Sequence, residues 1–225
     1  MADRTVSERI QDFAEVDAGL SPEEAIAEAA RCLQCKKPFC IEGCPVEIDI
    51  PAFLRCIEEG DFRSAIRIIK ESNMLPAICG RVCPQEVQCE GECILGNKER
   101  AVAIGRLERF LADWEREHGP ETPPVLEKRS ERIAVVGSGP AGLTAAAECA
   151  RNGFNVTIFE ALHAPGGVLT YGIPGFRLPD DVVQAEIDEV RRLGVEIRTN
   201  YLVGRSIPVD ELLAYDAIIL ATGAG

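Results

Sequence analysis

The sequence predicts an α-helical domain followed by part of a Rossmann-like α/β domain, and three observations support this α + α/β architecture. Nine of the ten cysteines lie between Cys32 and Cys93, in a stretch of largely helical periodicity. A segment rich in proline and charge, residues 119–132, follows it. Beyond that segment, a buried strand runs into a glycine-rich turn and a helix. We therefore expect domains at residues 1–118 and 133–225, joined by a linker.

Composition and charge exclude several classes of function. The formal net charge of −13 argues against nucleic-acid binding and favours a partner with a basic docking face. The N-terminal sequence MADRTVSERIQDF lacks the apolar core of a secretory signal, and no apolar run approaches the ~20 residues of a membrane helix. Ten cysteines without an export signal indicate metal or redox chemistry in a reducing cytoplasm.

The N-terminal half is predicted to be helical between its cysteine loops. Ser21-Pro22-Glu23-Glu24 has the residues of a helix start, with Ser at the N-cap, Pro at the first helical position and a carboxylate at the third. The expected elements are a helical stretch over 7–31, two short helices within 51–72 hinged at Gly60-Asp61, a glycine-rich loop over 76–98 and a helix over 101–117.

The cysteines form two groups of four. The first group, C-x2-C-x4-C-x3-C-P, comprises Cys32, Cys35, Cys40 and Cys44. The second, C-x3-C-P-x4-C-x3-C, comprises Cys79, Cys83, Cys89 and Cys93. Iron–sulfur clusters, zinc and disulfides all use such spacings, and the C-P endings favour clusters because zinc sites more often show two C-x2-C hooks. Cys56 and Cys149 fall within helical patterns and are interpreted as packing residues.

The C-terminal half predicts a dinucleotide-binding βαβ unit. The strand Ile133–Val136 leads into a G-x-G-x-x-G turn, a helix and the strand Val156–Phe159, which ends at Glu160. In such units the glycines let the backbone approach a pyrophosphate, and the acidic residue accepts hydrogen bonds from ribose hydroxyls. A helix over 180–193, a strand over 195–199 and the strand Ala217–Leu220 follow, and we expect this domain to continue beyond Gly225.

With these motifs, the chain resembles the N-terminal portion of the glutamate synthase small (β) subunit. It is also similar to the large subunit of NADH-dependent ferredoxin:NADP oxidoreductase, to sulfide dehydrogenase and to the N-terminal part of dihydropyrimidine dehydrogenase. The motifs that carry the resemblance are EEAIAEAARCLQC, the cysteine groups with GRVCPQ, the helix IGRLERF, and GSGPAGL followed by FE and PGGVLTYGIPGFRLP. Family members have a helical domain with two 4Fe–4S clusters, then an FAD domain with an inserted NAD(P)H domain. Nothing in this sequence corresponds to the inserted domain.

The resemblance implies crossed sets of cluster ligands. The ligands of one cluster would be Cys32, Cys35, Cys40 and Cys93. Those of the other would be Cys44, Cys83, Cys89 and a side-chain oxygen that aligns with Glu108. Spacing alone leaves Cys79 as the alternative to Glu108.

Glu108 shares a predicted helix face with Ile104 and Leu111, which places its carboxylate toward the core. Unpaired burial of that charge is costly, and a metal would relieve the cost. The alternative interpretation is an exposed salt bridge with Arg100 or Arg106.

The resemblance also implies FAD in the Rossmann-like domain, and Gly166-Gly167 just past Glu160 is an arrangement associated with FAD more than with NAD. The residues that it places at the cofactor are Gly137, Ser138, Gly139, Pro140, Ala141, Gly142, Glu160, Ala161, Gly167, Val168, Val203, Ala221, Thr222 and Gly223.

The implied activity is that of an NAD(P)H-dependent iron–sulfur flavoprotein oxidoreductase, whose clusters pass electrons to a glutamate synthase large subunit or another acceptor protein. A further chain could supply the rest of the FAD and NAD(P)H domains. NADPH-dependent glutamate synthase is the first expectation, and an electron-bifurcating, sulfide or ferredoxin:NADP oxidoreductase is the second. A non-catalytic, metal-bearing interaction module is the alternative of another class. No catalytic residue is predicted, since His118 lies where the linker begins and His163 lies in a loop.

Overall fold

A computed structural model of the chain describes residues 4–121, 124 and 126–224, and it contains two compact units. The first unit comprises Met1–Glu121 with Gly175–Pro179, and the second comprises Thr122–Pro174 with Asp180–Gly225. The predicted linker, 119–132, includes residues 122, 123 and 125, which lie outside the described residues. The domain limits therefore stay a prediction.

The first unit is helical. Its elements are α1 (Val6–Arg9), α2 (Pro22–Ala29), α3 (Phe39–Glu42), α4 (Ile50–Glu58), α5 (Phe62–Ser72), α6 (Pro76–Val82) and α7 (Ile104–His118), with 3₁₀ turns at Gln85–Val87 and Ile94–Asn97. The capping box expected at the start of α2 is present. The Ser21 hydroxyl accepts the Glu24 N–H at 3.2 Å, and the Glu24 carboxylate accepts the Ser21 N–H at 3.0 Å.

The expectation of helix throughout 7–31 is wrong between α1 and α2. Asp12 and Asp17 each accept a hydrogen bond from the backbone N–H two residues on, at 3.0 Å from Ala14 and 2.9 Å from Gly19. Such Asx turns offer the backbone an alternative to helical bonds, so the chain turns twice before α2 begins.

The expectation of a loop throughout 76–98 is wrong for its first residues. Pro76 takes a position at the start of α6, where its missing N–H would have had no helical partner in any case. Cys79 consequently lies within α6, and Cys83 is the residue at its C-terminal end. Because α6 packs against α7, this helix brings Cys79 toward the helix that carries Glu108.

The core of the first unit lies between α2, α4, α5 and α7. Phe53, Leu54, Ile57, Ile66 and Leu107 are almost fully buried in it. The side chains of several cysteines pack against the same core from its edge, namely Cys32, Cys40, Cys44, Cys56 and Cys93. The hydrophobic periodicity of the helices therefore positions the cysteine loops as well.

Glu28 ties α2 to the segment that precedes α7. Its buried carboxylate accepts hydrogen bonds from Arg31 at 2.6 Å, from the Ala103 N–H at 2.9 Å and from Arg100 at 2.6 Å. These partners offset the cost of burying the carboxylate. The contact fixes the end of α2, where the first cysteine group begins.

The second unit is an α/β fold with one parallel sheet, as expected. Its elements are β1 (Arg132–Val136), α8 (Pro140–Arg151), β2 (Asn155–Phe159), α9 (Val168–Tyr171), α10 (Asp180–Arg192), β3 (Glu196–Arg198), α11 (Val209–Leu212) and β4 (Ala217–Leu220). The strand order is β3-β2-β1-β4, and Val136 pairs with Phe159 on one side and with Leu220 on the other. This order places a crevice at the carboxyl ends of β1 and its neighbours.

In the described part of the chain, no helix has the length and apolar character of a membrane-spanning segment.

Candidate functional site

Four thiols of the helical unit line one cavity. Cys32, Cys35, Cys40 and Cys93 share it with mainly apolar side chains, and its volume is about 30 Å³. Burial raises the pKa of Cys40 to about 11, and the thiols of Cys32 and Cys93 add to the shift. The structure thus brings together the four thiols of one predicted ligand set, although Cys93 belongs to the other sequence group.

Three segments of the chain carry these thiols. Cys32 follows the last turn of α2, where its N–H donates to the carbonyl of Ala29 at 2.9 Å. Cys40 lies in α3, and Cys93 directly precedes the second 3₁₀ turn. The cavity is therefore formed by short elements and loops, whose positions depend on the helices beneath them.

Gln34 turns the chain between Cys32 and Cys35. Its φ of +47° lies in the left-handed region, which few residues other than glycine adopt. Its side chain is fixed on α4, because Nε2 donates to the carbonyl of Pro51 at 3.0 Å and Oε1 accepts from Arg55 at 2.9 Å. The sequence analysis missed Gln34, since both of its partners are distant in the chain.

The second group is organised around Asn73, which the sequence analysis also missed. The Cys79 Sγ lies 3.7 Å from Asn73 Oδ1, and Asn73 Nδ2 donates to Glu108 Oε1 at 2.7 Å. Asn73 and Glu108 are both buried, so the carboxylate is not exposed as the salt-bridge alternative requires. Asn73 therefore links the two candidate ligands, Cys79 and Glu108, and both face the same small region.

The remaining thiols of the second group lie near this pair. A hydrogen bond from the Cys79 thiol lowers the pKa of Cys83 to about 7, and the same bond together with burial raises the pKa of Cys79. Burial raises the pKa of Cys89 to about 12, and Glu90, Glu108 and Cys44 add to that shift. Cys44, Cys83 and Cys89 are thus gathered close to Glu108 and Cys79.

The donors fit 4Fe–4S clusters. All ten cysteines, each within the described part of the chain, carry free thiols. Among residues 4–121, 124 and 126–224, no three His, Cys, Asp or Glu side chains converge closely enough to chelate a single metal ion. Four thiols that line one cavity instead provide the four cysteine ligands that are typical of a multi-iron cluster. The second group offers four donors as well, counting either Cys79 or Glu108.

A separate cavity of about 810 Å³ lies beside Cys83 within the first unit, and arginines are prominent in its lining. Arg81 contacts Asp113 at 2.8 Å, and Arg109 contacts Glu15 at 3.0 Å. Because carboxylates already neutralise these two arginines, their presence does not make this cavity an anion site.

The turn between β1 and α8 has the form expected for a dinucleotide site. Gly139 is the N-cap of α8 and Pro140 is its first residue, so the N-terminal N–H groups of the helix lie at the turn. A Cβ atom at Gly142 would lie 2.0 Å from the carbonyl oxygen of Gly137. Only glycine fits there, as the third glycine of a dinucleotide-binding turn requires.

Glu160 lies at the end of β2 and is 6% exposed. Its Oε2 accepts the Ser138 N–H at 3.0 Å and also accepts a short hydrogen bond from the Ser138 hydroxyl. Its Oε1 accepts the Leu162 N–H at 2.8 Å. The side chain predicted to meet a ribose is therefore also part of the scaffold of the turn.

Other residues predicted at the cofactor come from neighbouring segments. Gly167 precedes α9, and a Cβ atom there would lie 2.8 Å from the Cα of Gly139, so the Gly-Gly loop crosses the turn closely. Ala221 follows β4 and its N–H donates to Val136 at 2.8 Å. Val203 packs against the hydrophobic cluster of the sheet. The other predicted residues are next to these in sequence: Ala161 follows Glu160, Val168 follows Gly167, and Thr222 and Gly223 follow Ala221.

Neither histidine lies in a cluster of catalytic type. His118, expected in the linker, ends α7 and stacks on Trp114 with ring centroids 4.4 Å apart. His163 lies in the loop after Glu160, and its Nδ1 is 3.3 Å from the hydroxyl of Tyr171. Each histidine ring therefore has a structural contact with a neighbouring aromatic side chain.

Family models match both halves of the chain. Residues 9–120 match the family described as dihydropyrimidine dehydrogenase domain II, 4Fe-4S cluster. Residues 135–182 match the family described as NAD(P)-binding Rossmann-like domain. The chain thus has an N-terminal iron–sulfur domain followed by a Rossmann-like domain, in the order that the sequence predicted.

Curated relatives extend the match over most of the chain. The NAD-dependent dihydropyrimidine dehydrogenase subunit PreT of Escherichia coli O157:H7 is 38% identical over 92% of this chain and 50% of the relative. The glutamate synthase [NADPH] small chains of Azospirillum brasilense and Escherichia coli K12 are both 39% identical, over 98% and 94% of this chain and 46% and 45% of their own lengths. The chain spans about half the length of the curated relatives it matches.

Proposed function

Since the chain is a homologue of glutamate synthase small chains and of dihydropyrimidine dehydrogenase PreT subunits, we propose that it is an electron-transfer module of an NAD(P)H-dependent oxidoreductase. It would hold two 4Fe–4S clusters in the helical unit and contribute to FAD binding in the Rossmann-like unit. The convergence of Cys32, Cys35, Cys40 and Cys93 on one cavity is the observation that carries the proposal.

The cofactors would supply the redox chemistry, since flavins exchange electron pairs with nicotinamides and iron–sulfur clusters exchange single electrons. The protein supplies ligands and surroundings. Thiolates of the first set would be held by the loop that Gln34 turns, and those of the second by α6 and its flanking loops. Asn73 would orient the ligand that completes the second set, whether that ligand is Glu108 or Cys79.

We assign the chain first to the type of the NADPH-dependent glutamate synthase small subunit, with a large subunit as the electron acceptor. A second candidate is a dihydropyrimidine dehydrogenase subunit. It is favoured by the relatives of that name, whose identity to this chain matches that of the glutamate synthase chains. An electron-bifurcating, sulfide or ferredoxin:NADP oxidoreductase is a further candidate of the same family.

The site that binds NAD(P)H is proposed to lie on a different segment from the turn that binds FAD. The chain spans about half the length of its curated relatives, and we propose that NAD(P)H binds to another segment of the enzyme or to a partner chain. We further propose a cytoplasmic location, because a reducing compartment keeps cysteines of this kind available as metal ligands.

Anaerobic purification followed by metal, sulfide and flavin analysis tests this function. We expect a brown protein with about eight iron atoms per chain and an equal amount of acid-labile sulfide. A colourless protein with stoichiometric zinc would contradict electron transfer and support the non-catalytic interaction module instead. Flavin bands in the same spectrum would report separately on the Rossmann-like unit.

A further inference from the structure

Ser138 joins three segments of the dinucleotide site. It occupies the second position of the glycine-rich turn and is fully buried. Its hydroxyl donates to Glu160 Oε2 at the end of β2 and accepts the N–H of Gly166 at 3.0 Å. Its carbonyl accepts the same Gly166 N–H at 3.1 Å. One small side chain thus connects the turn, the acidic residue and the Gly-Gly loop.

The hydrogen bonds of Glu160 determine which of its carboxylate oxygens a ligand can reach. A carboxylate has about four acceptor positions, two on each oxygen. The N–H and the hydroxyl of Ser138 fill both positions of Oε2, and the Leu162 N–H fills one position of Oε1. A ribose hydroxyl that approaches Glu160 would therefore meet Oε1, in one fixed orientation.

We infer that Ser138 is a positioning residue that orients Glu160 toward the ribose of a bound adenosine dinucleotide whose 2′-hydroxyl is free. FAD and NAD share this adenosine end, whereas NADP carries a 2′-phosphate that the fixed carboxylate would repel. This inference rests on the proposed function, because it requires that the turn bind a dinucleotide at all. It agrees with the FAD proposed for this unit and excludes NADP as the ligand of the turn.

The substitution Ser138→Ala removes only the hydroxyl group. Without it, Oε2 keeps the N–H of residue 138 and Oε1 keeps the Leu162 N–H, so two hydrogen bonds hold the carboxylate instead of three. The Gly166 N–H keeps the carbonyl of residue 138 as an acceptor, and alanine occupies no more space than serine, so the turn should still fold. We expect the affinity for FAD or NAD⁺ to fall about tenfold, the typical effect of losing a hydrogen bond to a charged group.

Loss of affinity alone would also follow from a purely structural role, so the test compares two ligands. The full chain and its Ser138→Ala variant are titrated with ADP and with 2′-deoxy-ADP, in competition with a fluorescent dinucleotide. If Ser138 acts through Glu160, the variant loses about tenfold in affinity for ADP and almost nothing for 2′-deoxy-ADP, which lacks the hydroxyl that Glu160 accepts. Ser130→Ala, which removes an exposed serine hydroxyl elsewhere in the same unit, is the matched control and should change neither affinity.

Three results would overturn the inference. They are equal binding of ADP by the two proteins, equal losses for ADP and 2′-deoxy-ADP, and tighter binding of NADP⁺ than of NAD⁺ or FAD by the unsubstituted chain. Failure of the unsubstituted chain to bind any of these ligands would instead contradict the dinucleotide part of the proposed function. Circular dichroism and thermal unfolding of each variant verify that the fold is retained.

Discussion

The two thiol groups of the helical unit differ in what surrounds the sulfur atoms. The first group opens into a cavity walled mainly by apolar side chains, and its Leu33, Phe39 and Ile94 are exposed to solvent. The second group is joined to a buried amide, Asn73, and through it to the buried carboxylate of Glu108. Hydrogen bonds, ligand type and solvent exposure are the main influences of a protein on cluster potential. Two clusters bound here should therefore differ in potential although their cysteine patterns are similar.

The largest expected effect tests whether the two groups are separate sites. Cys93→Ser should remove the first cluster alone, because Cys93 lines the first cavity although it belongs to the second sequence group. We expect iron to fall by about half, from about eight to about four atoms per chain, with loss of one electron paramagnetic resonance signal of the reduced protein. Cys89→Ser should remove the other signal.

The control for this experiment is Cys56→Ser. Cys56 is partly buried against the core and belongs to neither predicted ligand set, so its substitution should leave the iron content unchanged. If Cys93→Ser and Cys89→Ser eliminate the same signal, the crossed assignment is wrong.

The second effect concerns thiol reactivity in the metal-free chain. The pKa of Cys83 is lowered to about 7 by the Cys79 hydrogen bond, whereas burial raises that of Cys40 to about 11. The rate of Cys83 alkylation should therefore rise as the pH passes 7, and that of Cys40 only as the pH approaches 11. At pH 8, Cys83 has about three orders of magnitude more thiolate, and the lower nucleophilicity of a low-pKa thiolate offsets about two of them, so we expect about a tenfold faster reaction.

Peptide mass spectrometry after timed alkylation measures both rates. Cys79→Ala removes the thiol that donates to Cys83 and should move the Cys83 profile to higher pH, while the Cys40 profile stays in place. A lower pH midpoint for Cys40 than for Cys83 would show that the two groups do not differ in this way.

The smallest expected effect shows which of Glu108 and Cys79 is the fourth ligand at the second group. We expect Glu108→Ala to shift the midpoint potential of one cluster by about 60 mV, a tenfold change in a one-electron equilibrium, and to leave the other unchanged. Cys79→Ala should move neither potential by that amount. The opposite pattern, with cluster loss in Cys79→Ala and no shift in Glu108→Ala, would favour four thiolates at the second group. Potentiometric titration followed by resonance spectroscopy gives both values.

Sequence patterns of a few residues predicted most helices and strands, because the start and end of each element depend mainly on adjacent residues. The hinge at Gly60-Asp61, the helix start at Ser21, and the strand and helix that flank the glycine-rich turn all depend on a few adjacent residues. The two wrong predictions, helix throughout 7–31 and loop throughout 76–98, concern segments whose residues are compatible with both helix and turn. Aspartates in 10–20 form Asx turns rather than helix, and Pro76 begins a helix inside an apparent loop.

The sites were predicted less completely than the elements. Spacing marked the eight clustered thiols but divided them as two consecutive groups of four, and only the family resemblance suggested that Cys93 crosses over. The contacts of Gln34 with Pro51 and of Asn73 with Glu108 had no local signal, because these partners lie far away in the sequence. Ser138 was expected as a cofactor contact, but its bond to Glu160 is a property of the folded turn.

The sequence by itself determined the chemistry available to this protein: thiols at short spacings, a carboxylate on a core-facing helix position, and a glycine turn between strand and helix. Only the tertiary structure decided which of these groups meet. Contacts such as those of Asn73 with Cys79 and Glu108 join segments whose distance depends on how α5, α6 and α7 pack. Helix and turn propensities act over a few residues, whereas the burial of apolar faces that sets such packing is a property of the whole unit.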